Sequence, residues 1–352
     1  MWSQLKVLKH KDILSDIVTK NIPTPKHIQF ELTESCNYAC TFCPWHGDAA
    51  GNFKNIDFTG KRFFPTQRLL ELIDELEACG TKAISITGAG ENLIHPNFDQ
   101  IIKKLAASSM EFALTSNFGV KLSDDVLKDL LQAKWVRWSV NAADEATYNA
   151  TNRPKVSDAY FISQNNLRRL TALRTDETIH IGASYVIGDY NKHDISKVAT
   201  YVKSLGLDSL SFRPDTPMLR HQKSYEYSPE TIEALENSQE LSDKNFKVFI
   251  NYARLSDSQK ITDNSLRCYY SNHSVHIISN GDIYPCCMTR YDQSYKFGNI
   301  INQDFQSFWN TKERQEHYKD IYMKSCPSCH HTDTNKALQH FYESSDTLDN
   351  FI

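Results

Sequence analysis

The sequence contains little that points to a membrane, to secretion or to nucleic acid. No apolar run among its 352 residues approaches the ~20 residues that a membrane span requires. Its first residues contain neither an apolar segment nor a small-residue cleavage site, so they do not predict a secretion signal. The net charge is only −4, which gives no strong attraction to nucleic acid or to an anionic membrane. We therefore expect a cytoplasmic protein with no nucleic-acid and no membrane partner.

The sequence has no repeats or low-complexity segments. Its cysteines, in contrast, are numerous and grouped, and they call for an explanation. The chain has nine cysteines, and only Cys79 and Cys268 stand alone. In a reducing compartment, clustered cysteines are more often metal ligands than disulfide partners. The cysteine distribution therefore predicts metal binding. The clustered positions are 36, 40, 43, 286, 287, 326 and 329.

Short β-prone runs alternate with amphipathic helical stretches between residues 27 and 213. Strands separated by helices imply right-handed crossovers and a parallel sheet. Six such units are too few for a closed eight-stranded barrel, so we predict an α/β fold with a partial (β/α)6 TIM-like barrel or an open sheet. Ligands of such folds collect at the carboxyl ends of the strands. The predicted strands are 27–32, 83–87, 111–115, 135–140, 178–187 and 209–213.

The alternation stops after residue 213, and a different pattern begins at Val275. Asn280-Gly281 lies between two β-prone runs and predicts a hairpin with a type I′ turn, in which both central residues have positive φ. A helix over roughly 303–323 is predicted to follow. The predicted organisation is an N-terminal extension (1–26), a core (27–220), a helical linker (221–262) and a small C-terminal α+β domain (263–352).

The first cysteine group reads Cys36-x3-Cys40-x2-Cys43 and directly follows the first predicted strand. Three thiolates can hold three irons of a 4Fe–4S cluster and leave the fourth iron open, as a catalytic metal site requires. The alternative is a zinc site completed by His46. The spacing is the signature of the radical S-adenosylmethionine (SAM) superfamily, which this sequence resembles.

Further motifs extend the resemblance over residues 27–213. Residues 88–91 (Gly-Ala-Gly-Glu) resemble the family's Gly-Gly-Gly-Glu-Pro segment, although Ala89 and Asn92 replace a glycine and the proline. The resemblance implies that Glu91 binds the ammonium group of SAM and that the glycines let the backbone approach the ligand. It also implies contacts of SAM with Phe42 (beside the adenine), Gly88, Gly90, Ser116, Asn117 and Ser139 (near the ribose).

The second cysteine group resembles the SPASM domain that accompanies many radical SAM enzymes. No cysteine follows Cys329, so we expect the shortened "twitch" form with one fully ligated auxiliary 4Fe–4S cluster. The alternatives are a structural zinc site, because zinc also accepts four cysteines, and ligation by Cys287 in place of Cys286. The implied ligands are Cys268, Cys286, Cys326 and Cys329.

The resemblance implies a reaction class. One electron from the first cluster cleaves SAM to methionine and a 5′-deoxyadenosyl radical, which removes a hydrogen atom from an unactivated C–H bond. An external one-electron donor such as flavodoxin or ferredoxin is then required. Because a fully ligated auxiliary cluster is suited to electron transfer, we expect a radical SAM oxidoreductase that dehydrogenates a small polar substrate, such as a sugar, cyclitol or nucleotide derivative.

Three other functions stay open. An epimerase or rearrangement enzyme would return a hydrogen atom to carbon, with Cys287 or Cys79 as donor, although packing roles are favoured for both. The second is a peptide-modifying maturase. Against it, only 26 residues precede the first predicted strand, so we expect no leader-binding domain there. The third, outside enzymes, is a zinc-binding adaptor.

Overall fold

The structure is a computed structural model that describes residues 4–18, 23–48, 55–175, 178–215, 227–250, 252, 266–319, 326, 329 and 331–343. These ranges contain eleven α-helices besides short 3-10 helices, and no helix among them is long and apolar enough to cross a membrane. The helices are α1 (Lys11–Val18), α2 (Thr66–Ala78), α3 (Phe98–Ala107), α4 (Asp124–Leu130), α5 (Glu145–Asn152), α6 (Ala159–Leu173), α7 (Ile195–Ser204), α8 (Pro229–Gln239), α9 (Phe305–Trp309), α10 (Lys312–Lys319) and α11 (Thr332–Glu343).

The described strands form one sheet in the order β10-β9-β8-β1-β2-β3-β4-β5-β6-β7. All neighbours from β8 through β1 to β7 are parallel, and only β9 and β10 pair antiparallel. Helices separate β1 to β6 along the chain, so the predicted (β/α)6 partial barrel is confirmed. The strands are β1 (His27–Phe30), β2 (Ala83–Ile86), β3 (Glu111–Ser116), β4 (Trp135–Ser139), β5 (His180–Ile187), β6 (Ser209–Pro214), β7 (Lys247–Ile250), β8 (Ser274–Ile277), β9 (Asp282–Tyr284) and β10 (Gly298–Asn299).

One face of the sheet forms the hydrophobic core with the helices. Phe30 and Ile86 are paired across β1 and β2, and both are buried against Leu69 and Ile73 of α2. Residues paired on neighbouring strands point to the same face of the sheet, and successive residues of one strand point to opposite faces. Every second residue therefore faces the core. This packing fixes the position of β1, and the cysteine motif begins just after the carboxyl end of that strand.

The opposite face of the sheet is polar. His27 is hydrogen-bonded to Ser85 (2.8 Å) on β2 and to Ser274 (3.0 Å) on β8. Arg137 donates a 3.0 Å hydrogen bond to the hydroxyl of Thr115. This side of the sheet is the interior of the partial barrel and offers many hydrogen-bonding groups to a ligand. Its polar residues include His27, Gln29, Ser85, Thr115, Arg137, Ser139, Ser184 and Ser211.

The sheet extends beyond the six predicted strands at both ends. The segment 221–262, interpreted above as a helical linker, contains both α8 and the strand β7 among its described residues. β7 has only four residues in a polar surrounding, so periodicity alone does not reveal it. At the other end β8 pairs parallel with β1. The C-terminal segment therefore continues the core sheet.

The predicted hairpin is present, but its turn differs from the predicted type I′. Within the loop only Gly281 has positive φ (84°), and its N–H donates to the carbonyl of Ile278 (2.8 Å). A longer hairpin loop with glycine in the left-handed region has this arrangement. The single helix predicted over 303–323 is instead two helices, α9 and α10, within its described part, because the chain turns at Asn310.

Candidate active site

The cysteine loop (residues 36–47) begins at the carboxyl end of β1. Cys36, Cys40 and Cys43 are all half-buried and free. The Tyr38 N–H donates to Sγ of Cys36 (3.4 Å), and the His46 N–H donates to Sγ of Cys43 (3.3 Å). Backbone N–H groups aimed at sulfur stabilise a thiolate and are a common feature of iron–sulfur sites.

The three thiols influence one another electrostatically. Burial is the largest cause that raises the pKa of Cys36, to about 12, and the pKa values of Cys40 and Cys43 rise for the same reason. Cys43 raises the pKa of Cys36, and both of these thiols raise that of Cys40, so the sulfurs lie close together. Three buried thiolates repel one another unless a positive centre binds them, and metal binding to such a set releases protons.

The donor set of three thiols fits a 4Fe–4S cluster. Three thiolates can bind three irons of a cubane cluster and leave the fourth iron open to a ligand. The zinc alternative needs His46 as its fourth ligand. His46 Nε2 is hydrogen-bonded to the Glu34 carbonyl at 2.7 Å, so only its Nδ1 could bind zinc.

Gly47 closes the cysteine loop and was not singled out from the sequence. A Cβ at this position would lie 2.1 Å from the carbonyl oxygen of Cys40 and 2.7 Å from that of Cys43. The Gly47 N–H donates to the Cys43 carbonyl at 3.0 Å. Backbone oxygens cannot move aside without opening the loop, so only glycine fits. A glycine four residues after the last cysteine is the signal that could have identified it.

Glu34 fixes the cysteine loop from the other side. Its carboxylate is fully buried and accepts hydrogen bonds from the N–H and hydroxyl of Thr59 and from the N–H of Gly60. The guanidinium of Arg62 also binds it, at 2.6 Å. A buried carboxylate needs such partners. These contacts hold residues 59–62 beside the loop.

Glu91 is buried just beyond β2. Its carboxylate accepts hydrogen bonds from the Ser116 hydroxyl (2.8 Å), the Asn117 N–H (2.7 Å) and the Leu93 N–H (3.1 Å). Three of the residues implied as SAM contacts therefore form one network across β2 and β3. Burial raises the pKa of Glu91, and these hydrogen bonds oppose the increase. A cation beside the carboxylate would favour its ionised form, as an ammonium ligand does.

Residues 88–91, called the SAM loop after the ligand that the sequence predicts for them, contain glycines that protein contacts require. A Cβ at Gly90 would lie 2.2 Å from the carbonyl oxygen of Ser35, and one at Gly88 would lie 2.3 Å from Cγ of Glu31. The SAM loop therefore packs directly on the segment that follows β1. The approach of a ligand, which the sequence predicts as the reason for these glycines, stays a prediction.

Phe42 lies near the carboxyl ends of β5 and β6. Its ring stacks on Tyr190 with centroids 6.1 Å apart and an interplanar angle of 27°. The Tyr190 hydroxyl donates to Asp215 at 3.1 Å, and burial raises the pKa of Asp215 to about 6. Ser139 is paired with Ser184 of β5. Tyr190 and Asp215 lie beside the predicted adenine contact, and the sequence alone does not single them out.

The C-terminal cysteines also approach one another. Cys268 is buried, and Cys286, Cys326 and Cys329 are half-buried. Cys268 and Cys326 both raise the pKa of Cys286, and Cys268 and Cys329 raise that of Cys326, after burial as the main cause. The four ligands implied for an auxiliary cluster therefore gather at one place. Cys287 also raises the pKa of Cys286, so its role as a ligand stays open.

A cavity of about 420 Å³ lies elsewhere, at the amino ends of β3 to β5, where Met110, Lys134 and Ile179 line it. Active sites of parallel α/β folds form at the opposite, carboxyl ends. The cysteine loop, the SAM loop and Phe42 are all at those carboxyl ends. We therefore assign the candidate site to them.

The chain matches two family models. Residues 30–202 match the radical SAM superfamily, and residues 268–330 match SPASM, an iron–sulfur cluster-binding domain. Among curated proteins, a cofactor-modifying protein for the tungsten-containing aldehyde ferredoxin oxidoreductase of Pyrococcus furiosus is 21% identical, over 86% of this chain and 87% of that protein. The mycofactocin maturase MftC of Mycobacterium tuberculosis is 23% identical, over 90% and 78%.

Solved structures share the fold. Streptococcus suis SuiB bound to its precursor peptide SuiA superposes with a TM-score of 0.64 at 15% identity, over 93% of this chain and 75% of that one. The cofactors that these families use are SAM and 4Fe–4S clusters; when bound, they supply the electron that cleaves SAM and the radical that removes hydrogen from carbon. The cysteine loop, the SAM loop and the second cysteine group contain the residues that are predicted to hold these cofactors. The chain is a radical SAM enzyme with a SPASM iron–sulfur cluster-binding domain.

Proposed function

We propose that this enzyme modifies a peptide by SAM-dependent radical chemistry. The observation that carries the proposal is the match to a maturase across both domains: the mycofactocin maturase MftC aligns with 90% of the chain. The SuiB structure, which holds a precursor peptide, superposes over 93% of it. This replaces the small polar molecule that we expected from the sequence as the first choice.

The polar interior of the partial barrel supports a peptide substrate. Ser184 and Ser211 are paired in register on β5 and β6, beside Ser139 of β4, the predicted ribose contact. Hydroxyls of this kind can donate to and accept from the amide groups of a peptide that lies next to SAM. Arg137 lies on the same face of β4, one residue pair below Ser139, and adds a positive charge.

The second cysteine group supports an oxidative modification. A peptide radical formed by loss of one hydrogen atom becomes a closed-shell product when it loses one electron and one proton. Four thiolates, Cys268, Cys286, Cys326 and Cys329, would saturate an auxiliary cluster and suit it to accept that electron. The proton passes to solvent or to a base. The net change is the loss of two hydrogens from the peptide.

A second candidate is a small-molecule substrate. It is favoured by the relative from Pyrococcus furiosus, which is named for modifying a cofactor and matches 86% of this chain. The two candidates differ in what leaves the enzyme, a peptide or a small molecule.

Co-expression separates the two candidates. The enzyme is expressed anaerobically with each short peptide encoded beside its gene, and the peptides are analysed by mass spectrometry. We expect one peptide to lose the mass of two hydrogens. With an enzyme in which Cys36, Cys40 and Cys43 are replaced by alanine, the mass of that peptide should not change. If no peptide changes mass while a small-molecule extract stimulates 5′-deoxyadenosine formation, the substrate is a small molecule.

A further inference from the structure

A buried carboxylate outside both cysteine groups links the two halves of the molecule. Glu31 follows β1 directly and has no exposed surface. One carboxylate oxygen accepts the N–H of Ala89 at 2.6 Å, in the SAM loop. The other accepts the hydroxyl of Tyr291, which lies 260 residues away in the sequence. Glu31 thus touches the SAM loop on one side and the SPASM domain on the other.

The contact with the SAM loop is close and leaves little freedom. A Cβ on Gly88 would lie 2.3 Å from Cγ of Glu31 and 2.6 Å from Oε2. The backbone at residues 88 and 89 therefore rests on the Glu31 side chain. Glu91, whose carboxylate is implied to hold the SAM ammonium, is only two residues further along. A shift of Glu31 would move this backbone.

Tyr291 belongs to the auxiliary segment (residues 286–291), which begins at an implied cluster ligand. It is fully buried and has positive φ (69°), so the chain holds it in an unfavourable backbone conformation. Its ring packs on Trp45 of the cysteine loop with centroids 4.7 Å apart. Arg290 stacks over the same Trp45 ring at 5.3 Å and donates to the carbonyl of Cys287.

Glu31 can keep its two hydrogen bonds whether it is protonated or ionised. Arg290 lowers the pKa of Glu31 and Glu34 raises it, while burial is the largest effect and raises it to about 7. In either protonation state the two oxygens can accept from Ala89 and Tyr291. A buried acceptor with two donors from different domains is costly to disrupt.

We propose that Glu31 is a positioning residue through which the SPASM domain, anchored by Tyr291, holds the SAM loop in its binding geometry. SAM affinity then depends on the auxiliary segment, although that segment lies outside the SAM site. By reciprocity of binding free energies, SAM also stabilises the auxiliary segment. The inference uses the cofactors of the family and is independent of whether the substrate is a peptide.

The test compares Tyr291→Phe with Tyr284→Phe. Tyr284 is a matched control because it is buried in the same aromatic cluster and its hydroxyl accepts a hydrogen bond from Gln293 (2.9 Å), yet it has no contact with Glu31 among the described hydrogen bonds. Iron content and the circular dichroism spectrum verify that both variants fold and load clusters. We expect Tyr291→Phe to weaken SAM binding about tenfold, as ~1.4 kcal/mol would, and to alter the SAM-induced change in the EPR spectrum of the reduced cluster.

Two further variants make the readout specific. Glu31→Met is close in size but has no acceptor oxygen, so it should weaken SAM binding by at least this factor, and adding Tyr291→Phe should cause no further loss. In the metal-free protein, hydrogen exchange of the segment around Ala89 should be faster in Tyr291→Phe than in Tyr284→Phe. Equal SAM affinity and equal exchange in the two tyrosine variants would overturn the proposal, as would fully additive effects in the double variant.

Discussion

The hydroxyl of Ser116 donates a 2.8 Å hydrogen bond to the carboxylate of Glu91 across two neighbouring strands. The sequence presents these residues as separate SAM contacts. The structure shows that Ser116 orients Glu91, so we expect part of the predicted effect of Ser116 on SAM binding to pass through that carboxylate. The Asn117 N–H binds the second carboxylate oxygen and completes the restraint.

Replacement of Glu91 should weaken SAM binding without loss of the clusters. A desolvated charge pair that loses one partner commonly costs ~2–5 kcal/mol, so Glu91→Ala should raise the dissociation constant of SAM by at least about thirtyfold. Ser116→Ala should have a smaller effect. Isothermal titration with SAM measures both. Glu111→Gln is the control, since Glu111 is exposed and pairs with Lys134; unchanged affinity in Glu91→Ala would show that the ammonium binds elsewhere.

Gly47→Ala should prevent assembly of the first cluster. The added methyl group meets the carbonyl oxygens of Cys40 and Cys43, so the loop must open. Gly80→Ala is the control: alanine there is strained by the positive φ (86°) but has no atom near the added Cβ, so it should cost only ~1–2 kcal/mol of stability. Iron analysis after anaerobic reconstitution checks this. Full iron content in Gly47→Ala would mean that the loop has another conformation when loaded.

Glu31 should make the metal-free protein less stable as the pH rises. Burial raises its pKa from 4.5 to about 7, so between these values the folded state binds more protons than the unfolded state. The free energy of unfolding therefore falls from pH 4.5 to 7, by on the order of 3 kcal/mol, and the loss is complete above pH 7.

Urea unfolding at pH 5 and pH 7.5 measures this loss. Because glutamine does not titrate, Glu31→Gln should show a smaller decrease between the two pH values than the wild type. The charged residues that face Glu31, Arg290 and Glu34, are unchanged in that comparison. An identical pH dependence in both proteins would contradict the assignment.

Loss of the auxiliary ligands should stop the reaction after hydrogen abstraction. At saturating SAM, a folded variant with Cys326→Ala and Cys329→Ala should form 5′-deoxyadenosine but fail to complete a two-electron oxidation, because the electron has no acceptor. The epimerase alternative predicts one solvent-derived hydrogen in a product of otherwise unchanged mass. The reaction in deuterated water therefore distinguishes them. Deuterium at the reacting carbon would exclude dehydrogenation.

Local patterns explain what could be predicted from the sequence. The six core strands are β-prone runs between helices, and Cys36, Cys40 and Cys43 are close in the chain because one loop must present them together. The links made by Glu34 to Arg62 and by Glu31 to Tyr291 could not be predicted, since they join separate segments through single buried carboxylates. Only the folded chain brings these partners together.

Metal analysis of the anaerobically reconstituted enzyme tests the central claim most directly. Two 4Fe–4S clusters predict roughly eight irons per chain. Replacement of Cys36, Cys40 and Cys43 by alanine should remove about half of the iron and abolish SAM cleavage, whereas Cys79→Ala, at the end of α2, should change neither. Stoichiometric zinc with little iron, or SAM cleavage that persists without the three cysteines, would contradict the account.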